Sequence, residues 1–353
     1  ANAAAASLFR IPGTPVLLVS VLRDPDVLSL VDEALFGGVA ARGPFSTGGS
    51  QDRNFQAEAR PIEAGAGDDP DPVPRAVLWL RDETDLRRAE RTRADFLANA
   101  SHELRTPLAS MSGFIETLKG HARNDREAQD RFLDIMQKQA QRMGRLIEDL
   151  LSLSRIELNE HVAPRGRTDL ALAAADVVDA LAPQAQARGV TIRAELPPGG
   201  AAVICGDRDQ LVQVIQNLLD NALKYAPPGG AVHLAVEGSV DRMTAEAPVL
   251  ADAARLALVS PDSPAERFAL VRVRDEGPGL EREHLPRLAE RFYRVEGQKS
   301  GERPGTGLGL SIAKHIVNRH NGILAVESAP GQGTVFTVLL PAAAVPKPEE
   351  SPQ

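Results

Sequence analysis

The segment NASHELRTP, residues 99–107, places a histidine, a glutamate and a threonine close together. Imidazole is partly neutral at pH 7, so His102 could act as a nucleophile. Glu103 can accept or orient the ring proton, which activates a weak nucleophile. On a helix, Thr106 lies one turn after His102 on the same face. The segment predicts a reactive histidine. The alternative is a solvent-exposed histidine without a role.

Helix geometry predicts where this histidine points. Successive helical residues are about 100° apart, so His102 lies roughly 200° from the apolar residues Ala100 and Leu104 and faces solvent. Pro107 removes an N–H and crowds the carbonyl of Glu103. We therefore expect the helix to bend just after His102, which would give the histidine two geometries.

A second set of polar side chains lies in QVIQNLLDNALKYA, residues 213–226. Asn217, Asn221 and Lys224 follow at steps of four and three, so they share one face of a helix. Two carboxamides and an ammonium group suit a Mg²⁺–phosphate group. A solvated helix face is the structural alternative.

Two glycine-rich segments follow. DEGPGL begins at Asp275, directly after a strand, and its carboxylate can accept a hydrogen bond from an exocyclic amine. GTGLGLSIAKHIV, residues 305–317, leads glycines into the start of a helix, where free N–H groups and the helix dipole favour phosphate. No Gly-Lys-Ser/Thr follows, which excludes a Walker motif, and no strand directly precedes, which excludes a Rossmann turn.

The first 84 residues predict a small α+β unit. We expect strands at residues 15–22, 53–62 and 75–82, and a helix at 24–35. Residues 63–74 form an acidic, Pro/Gly-rich loop that cannot continue a strand. The last strand leads through DET, residues 82–84, directly into a helix.

Apolar residues then recur every three or four positions over two long stretches. The pattern predicts two amphipathic helices joined by a short polar loop, an antiparallel hairpin. A second copy would close the exposed seam into a four-helix bundle, and docking on the next domain is the alternative. The stripes are Leu86, Ala89, Arg93, Leu97, Ala100, Leu104, Leu108, Met111, Ile115 and Leu118, then Phe132, Met136, Ala140, Met143, Ile147 and Leu150.

Residues 165–341 alternate strand-like and helix-like segments, which predicts a two-layer α/β sandwich with helices on one face of a mixed sheet. Residues 239–266 interrupt two strands and are interpreted as an insertion. Cys205 lies in a strand-like segment, so we expect a buried thiol without a catalytic role. As the single cysteine, it excludes an intramolecular disulfide and a cysteine-cluster metal site.

Composition limits the function classes. The chain has 353 residues, too many for one ordinary domain, and a net charge of −8, which argues against broad nucleic-acid or anionic-membrane binding. No apolar run approaches the ~18 residues that suggest a membrane span. The sequence starts without methionine, so we expect a cytoplasmic part of a longer protein, and an inner-membrane anchor upstream is left open.

Five motifs occur in the order and spacing of a known family. FLANASHELRTPLASMSGFIETL resembles the H box of a sensor histidine kinase of a two-component system. NLLDNALKYA resembles the N box, DEGPGL the first glycine box, ERFYRV the F box and GTGLGL the second glycine box. Together with SAPGQGTVF they cover residues 86–341. ADFLANASHELRTPL and DLLSLSRIE are most similar to phosphate-regulon sensor kinases of the PhoR type, and residues 1–85 resemble a PAS domain loosely.

The resemblance implies a multidomain fold and a Bergerat-type (GHKL) ATP site. It implies a PAS-like α+β input domain at 1–85, a dimerisation and histidine phosphotransfer hairpin at 86–160, an ATP-binding α/β sandwich at 165–342 and a disordered tail at 343–353. Asp275 would bind the adenine amine, and Asn221, helped by Asn217, would hold Mg²⁺. The other nucleotide-binding residues implied are Lys224, Tyr225, Gly277, Gly279, Arg291, Arg294, Gly305, Thr306, Gly307, Leu308 and Gly309, with an ATP lid at about 283–304.

The function implied is ATP-dependent autophosphorylation of His102, followed by transfer to an aspartate of a response-regulator receiver domain. His102, Glu103 and Thr106 would be the catalytic residues. Glu103 and Thr106 form an E-x-x-T stretch similar to that of kinases that also dephosphorylate their regulator. The expected assembly is a homodimer without nucleic acid. The alternatives are another GHKL ATPase and a scaffold that has lost catalysis.

Overall fold

The computed structural model describes residues 1–47, 53–62, 74–261, 265–295 and 305–343. The chain divides into two units, Ala1–Ser101 and His102–Gln353. The expected acidic loop falls almost wholly outside the described residues. Part of the expected ATP lid and nearly all of the C-terminal tail do so as well.

In its described residues, the first unit contains a three-stranded antiparallel sheet and three helices before the long helix that leaves it. In the sheet, β2 lies between β1 and β3. Asp24 caps α3, because its carboxylate accepts the N–H groups of Asp26 and Val27, and Pro25 suits the first helical position. The elements are α1 (Ala3–Leu8), α2 (Leu18–Val21), α3 (Pro25–Phe36), β1 (Ala41–Thr47), β2 (Arg53–Ile62) and β3 (Arg75–Asp82).

The predicted strand at residues 15–22 is wrong. Residues Leu18–Val21 form one helical turn, α2, and the Ser20 hydroxyl donates to the Leu17 carbonyl. A turn brings Leu18, Val21 and Leu22 together against the apolar cluster of this unit, so tertiary packing overrides the strand propensity of valine and leucine. The other members of that cluster include Val27, Phe45, Phe55 and Ala57.

A fixed turn connects β3 to the long helix. The Thr84 N–H donates to the Asp82 carboxylate at 2.9 Å, and the Asn54 N–H donates to the Thr84 hydroxyl at 3.0 Å. The two hydrogen bonds from Thr84 lower the pKa of Asp82. These bonds join the first residue of the helix to two neighbouring strands, so the direction of the helix follows from the sheet.

The predicted helical hairpin is present. It consists of α4 (Thr84–Lys119) and α5 (Arg126–Leu158), and α4 continues through Pro107. Asp125 caps α5 through the Ala128 N–H, and Phe114 stacks on Phe132 beside the turn with ring centroids 5.1 Å apart. Several apolar side chains on the hairpin stay exposed, namely Leu97, Leu108, Ile115, Leu133, Ile135, Ile147 and Leu151.

The second unit continues into a mixed six-stranded sheet of order β5-β7-β9-β11-β10-β8. Only the pairing of β5 with β7 is parallel among the described strands of this sheet. A two-stranded ribbon of β4 and β6 lies beside it. The elements are β4 (Arg167–Asp169), α6 (Leu170–Arg188), β5 (Thr191–Glu195), β6 (Val203–Cys205), α7 (Arg208–Tyr225), β7 (Ala231–Asp241), α8 (Arg242–Ala245), β8 (Ala254–Val259), β9 (Arg267–Asp275), α9 (Gly309–Arg319), β10 (Ile323–Ala329) and β11 (Gly333–Pro341), with a 3₁₀ helix at Arg282–Arg287.

The predicted layer of helices is present on this sheet, and the four-residue helix α8 covers part of the opposite face. Helices α7 and α9 pack against strands of the sheet, as predicted, and α6 packs there as well. Phe268 and Leu270, which share one face of β9, cluster instead with Ala245 of α8. The expected insertion supplies this covering helix and also the edge strand β8, which pairs with β10. Ala245 of the inserted segment is therefore part of a hydrophobic core cluster, and Val240 packs against it.

Two further differences concern α6 and Cys205. Helix α6 was not predicted, because alanine fills most of its buried positions and leaves little apolar periodicity in the sequence. Cys205 is exposed, so the expectation of a buried thiol is wrong. The cysteine is the last residue of β6, which pairs with β4 in a two-stranded ribbon outside the six-stranded sheet.

None of the helices in the described ranges combines the length and the apolar character that a bilayer span requires.

Candidate functional site

His102 lies on the exposed face of α4, as predicted from its spacing to the apolar stripe. Glu103 is half-buried, and its carboxylate accepts a hydrogen bond from Arg142 of α5 at 2.9 Å. This ion pair fixes Glu103 beside the histidine and joins the two helices of the hairpin. Within the described residues, Glu103 bonds to Arg142 and not to the His102 ring.

Thr106 makes the local hydrogen bond that its position allows. Its hydroxyl donates to the His102 carbonyl at 3.2 Å, one turn earlier. The side chain remains exposed beside the histidine, while Pro107 is buried. Pro107 has no N–H to donate to the Glu103 carbonyl. The hydrogen bond from Thr106 goes to the preceding carbonyl in the same turn, that of His102.

Two polar residues of α7, Asn217 and Lys224, contact the glycine-rich segment. The Asn217 side-chain N–H donates to the Gly309 carbonyl at 3.1 Å. A Cβ atom added at Gly305 would lie 2.9 Å from Lys224 Nζ, which places the ammonium group directly against the loop. Lys224 Nζ also lies 4.9 Å from the centre of the Tyr225 ring. Asn217 and Lys224 thus meet Gly305 and Gly309 near the start of α9, although Asn217 and Gly309 are 92 positions apart.

The glycine loop also contacts the F-box segment. Gly307 has a φ of +75°, and a Cβ there would lie 2.8 Å from the Phe292 Cα. The Phe292 N–H donates to the Gly307 carbonyl at 2.9 Å. Only glycine permits this approach of two backbones. Leu308 is fully buried, so this apolar side chain anchors the loop. The glycines on either side of it have no side chains, so their backbone can lie close to the polar face of α7.

Asp275 is a buried carboxylate at the end of β9, with 5% of its surface exposed. Burial raises its pKa to about 6, and hydrogen bonds from the Gly277 and Thr334 backbone partly oppose that rise. The Gly277 N–H donates to the carboxylate at 2.8 Å. A Cβ at Gly277 would lie 2.9 Å from the Tyr225 carbonyl, which joins this loop to the end of α7. A buried carboxylate that is followed by a glycine loop is suited to accept a hydrogen bond from a ring that carries an amine.

The second glycine of this loop is also sterically required. Gly279 has a φ of +70°, and a Cβ there would lie 1.9 Å from the Ala329 carbonyl oxygen. The loop from Asp275 to Leu280 therefore rests directly on the end of β10.

Two acidic residues of α5 contact the predicted nucleotide-binding residues, and no sequence motif indicated either of them. The Thr306 hydroxyl donates to the Asp149 carboxylate at 2.6 Å. Arg291 pairs with Glu157. Burial raises the pKa of Asp149, with the hydrogen bond from Thr306 opposing it. These pairs lie 157 and 134 residues apart, so no local pattern could have indicated them.

Residues of the predicted lid form a small aromatic cluster. His284 Nδ1 lies 2.9 Å from the Tyr293 hydroxyl, and the Arg287 guanidinium lies 4.3 Å from the centre of the Tyr293 ring. Arg294 follows directly in the described part of the lid. Arg291 and Arg294 therefore lie on a segment that follows the 3₁₀ helix and that these contacts of Tyr293 hold in place.

The donor set fits a magnesium nucleotide. Asn221 is half-buried on the same face as Asn217, and its carboxamide has no hydrogen-bond partner among the residues that the structure describes. A carboxamide oxygen is a suitable ligand for Mg²⁺, which retains waters and binds phosphate oxygens. The helix N-terminus, the ammonium group and the buried carboxylate are the groups that phosphates and an adenine amine require.

Two family models match the chain. The model described as "His Kinase A (phospho-acceptor) domain" matches residues 92–159, and the one described as "Histidine kinase-, DNA gyrase B-, and HSP90-like ATPase" matches residues 206–344. His102 lies within the first match, and the α7 residues, Asp275 and the glycine loop lie within the second.

Characterised relatives include two bacterial sensor proteins. The phosphate regulon sensor protein PhoR of Pseudomonas aeruginosa is 36% identical over 262 residues, which are 74% of this chain and 53% of PhoR. Sensor histidine kinase WalK of Bacillus subtilis is 32% identical over 265 residues, 75% of this chain and 39% of WalK. The chain thus spans about half of PhoR and less of WalK.

Among solved structures, histidine kinase ThkA in complex with response regulator protein TrrA aligns with 97% of this chain and 91% of that chain, at 19% identity and a TM-score of 0.49. The order of the two matched domains, the motifs and the assembled site agree with one another. The chain belongs to the sensor histidine kinases, with a HisKA region followed by an α/β ATPase domain.

Proposed function

We propose that this protein is an ATP-dependent histidine autokinase that phosphorylates His102 and passes the phosphoryl group to an aspartate of a response regulator. The observation that carries the proposal is the convergence of Asp275, the α7 polar face and the glycine loop in one domain, beside a hairpin with an exposed histidine. Each part is ordinary alone. Together they supply a nucleotide site and a phosphoryl acceptor.

Each residue of the nucleotide site has a proposed task. Asp275 accepts the adenine amine, and the Gly277 N–H keeps its carboxylate oriented. The N-terminus of α9 and Lys224 receive the phosphates, while Asn217 holds the Gly309 backbone in place. Asn221 ligates Mg²⁺, which offsets phosphate charge when bound. Arg291 and Arg294 add cationic groups from the lid.

In the phosphoryl transfer, a neutral ring nitrogen of His102 attacks the γ-phosphorus of ATP. A nitrogen–phosphorus bond forms, the bond from phosphorus to the β,γ-bridging oxygen breaks, and ADP leaves. The ring loses its proton, and Glu103 is the adjacent base. The ion pair with Arg142 holds Glu103 in position for this step. In the second reaction the phosphoryl group passes from nitrogen to a carboxylate oxygen of the regulator.

Incubation with γ-labelled ATP and Mg²⁺ tests this function against its alternatives. A histidine kinase gives protein-bound label that is labile to acid and stable to base. Release of labelled phosphate without protein label would favour a different GHKL ATPase. Absence of nucleotide binding would favour a scaffold that has lost catalysis. A receiver domain added afterwards should remove label from the protein.

We further propose that the first unit is a PAS-like input domain. Supporting this are its antiparallel sheet, its covering helix and the fixed turn from β3 into α4. Through that turn, a change in the sheet would reach the helix that carries His102. We also propose cytoplasmic placement of these residues.

The hairpin is proposed to dimerise into a four-helix bundle. Ile147 lies in the predicted stripe of α5 and is 45% exposed, so a second copy could bury it. We expect the chain to sediment at twice its mass at tens of micromolar, and Ile147→Asp to shift it toward monomer. Leu172→Asp is the matched control, because Leu172 is an exposed leucine on α6. A wild-type monomer would contradict the proposal.

Phosphatase activity is proposed to depend on Thr106. Its exposed hydroxyl, one turn after His102, can orient a water against a docked phospho-aspartate. We expect Thr106→Ala to slow decay of the phosphorylated regulator about 10-fold with autophosphorylation unchanged. Glu103→Ala should lower autophosphorylation instead. Equal loss of both rates in Thr106→Ala would mean that its bond to the His102 carbonyl shapes the helix and nothing more.

A further inference from the structure

Ser328, in β10, has a buried hydroxyl that contacts the end of the Asp275 loop. The residue is 1% exposed. The Leu280 N–H donates to its hydroxyl at 2.9 Å, and Leu280 is the last residue of DEGPGL. The same hydroxyl lies 2.8 Å from the Gly333 carbonyl oxygen and 3.1 Å from the Thr334 hydroxyl.

The chemistry of a serine hydroxyl determines the direction of these bonds. A hydroxyl has one hydrogen and two lone pairs. Since Gly333 offers only a carbonyl oxygen, Ser328 donates to it and accepts from both Leu280 and Thr334. Its bonding capacity is then filled, which fixes the position of the Leu280 backbone.

Strand register relates this hydroxyl to Asp275. Ser328 of β10 pairs with Thr334 of β11, and Thr334 pairs with Asp275 of β9. The three residues form one row across the sheet and share a face. The loop of residues 275–280 therefore starts at Asp275, at one end of this row. It ends at Leu280, which is hydrogen-bonded to Ser328 at the other end. One end of the loop is continuous with β9, and the other end is bound to β10, on the far side of β11.

The inserted segment holds β10 from the opposite face. Glu327 precedes Ser328, so its side chain points to the other side of the sheet. Its carboxylate accepts the N–H groups of Val249 and Leu250 at 2.8 and 3.3 Å and pairs with Arg255 at 3.6 Å. Asp252 and Ala254 of the inserted segment line one cavity of about 380 Å³ together with Leu280 and Ser328, so the insertion and the end of the loop border the same space.

We propose that Ser328 is a positioning residue for adenine recognition. Its hydroxyl holds the loop that carries Asp275, and the inserted segment stabilises its strand through Glu327. This inference rests on the proposed adenine role of Asp275. Ser328 acts on the base side of the nucleotide and not on the phosphate side, where Lys224, Asn217 and the Gly305–Gly309 loop lie.

The first test is Ser328→Ala in the full chain. The substitution leaves the Leu280 N–H without its partner, so we expect the KM for ATP and the Kd for ADP to rise about 10-fold. The kcat at saturating ATP should stay within about twofold, because groups at the phosphates are untouched. Thr168→Ala is the matched control, since Thr168 is also buried and its hydroxyl donates to a backbone carbonyl, that of Gly206, at 3.0 Å. It should leave the KM for ATP unchanged.

A second measurement on the wild-type protein covers the case in which Ser328→Ala fails to fold. The Leu280 amide should show slow hydrogen exchange without nucleotide. Exchange as fast as in an exposed loop would overturn the proposal. An unchanged KM in a folded Ser328→Ala would also overturn it. Asp275→Asn, measured alongside, distinguishes a failure of the role of Ser328 from a failure of the adenine assignment of Asp275. If it weakens ATP binding and Ser328→Ala does not, only the role of Ser328 fails, whereas normal binding in both removes the adenine assignment itself.

Discussion

His102→Gln is expected to abolish incorporation of label from γ-labelled ATP. Glutamine keeps a polar side chain of similar size on the exposed face of α4, but it has no nitrogen that can form a stable phosphoramidate. The loss should therefore be complete within detection and not partial. The Kd for ATP should change by less than about twofold, because the residues that surround Asp275 and the glycine loop are on other elements.

His121→Gln provides the control for this experiment. His121 is also exposed, and it lies on the same hairpin in the turn between α4 and α5. It should keep full labelling. Acid-labile label on His102→Gln, or loss of label from His121→Gln, would contradict the assignment of His102 as the phosphorylated residue.

Asp275→Asn is expected to weaken ATP binding and stabilise the nucleotide-free protein. Losing a hydrogen bond to a charged acceptor costs about 1.5–3 kcal/mol, or about 10- to 150-fold in Kd. Burial raises the pKa of Asp275 to about 6, so the ionised carboxylate is unfavourable in the folded protein. Removing the charge should raise the free energy of unfolding at pH 7 by about 3 kcal/mol at most. Nucleotide titration and denaturant unfolding measure the two effects.

The pH dependence of stability follows from the same raised pKa. The folded state binds the Asp275 proton more tightly than the unfolded state, whose carboxyl titrates near 3.8. The wild type therefore loses stability relative to Asp275→Asn as pH rises from about 4 to about 6, and the gap stays constant above that. Below about pH 4 the two proteins should have equal stability. A gap that persists unchanged at pH 3.5 would show that the difference has another cause.

ATP affinity should depend on the same proton. Only the ionised carboxylate accepts fully from the adenine amine, so the ratio of wild-type to Asp275→Asn affinity should decline as pH falls below about 6. GTP has a carbonyl where ATP has the amine, and it should compete poorly for the wild-type site. Equal binding of ATP and GTP would remove Asp275 from this role.

Local signals were sufficient for most elements. The spacing of apolar residues predicted the two helices of the hairpin and the exposed position of His102, because helix periodicity is a property of consecutive residues. Glycines before α9 and after β9 marked backbone that approaches other groups closely, and the structure places Gly305, Gly307, Gly277 and Gly279 in such contacts. These patterns, in one order, were enough to identify the family.

Other features depend on which surfaces the chain packs together. The apolar segment at residues 15–22 becomes a helical turn because its partners lie on β1 and β2, and Cys205 is exposed because β6 lies outside the large sheet. Asp149 contacts Thr306 only through the packing of α5 on the ATPase domain. Ser328 reaches Leu280, 48 positions earlier, through strand register across β9, β11 and β10. The sequence by itself determined the hairpin helices and the residue types of the site, because those signals arise from neighbouring residues. Only the tertiary structure decided which side chains hold that site in place, because those contacts join residues far apart in the chain.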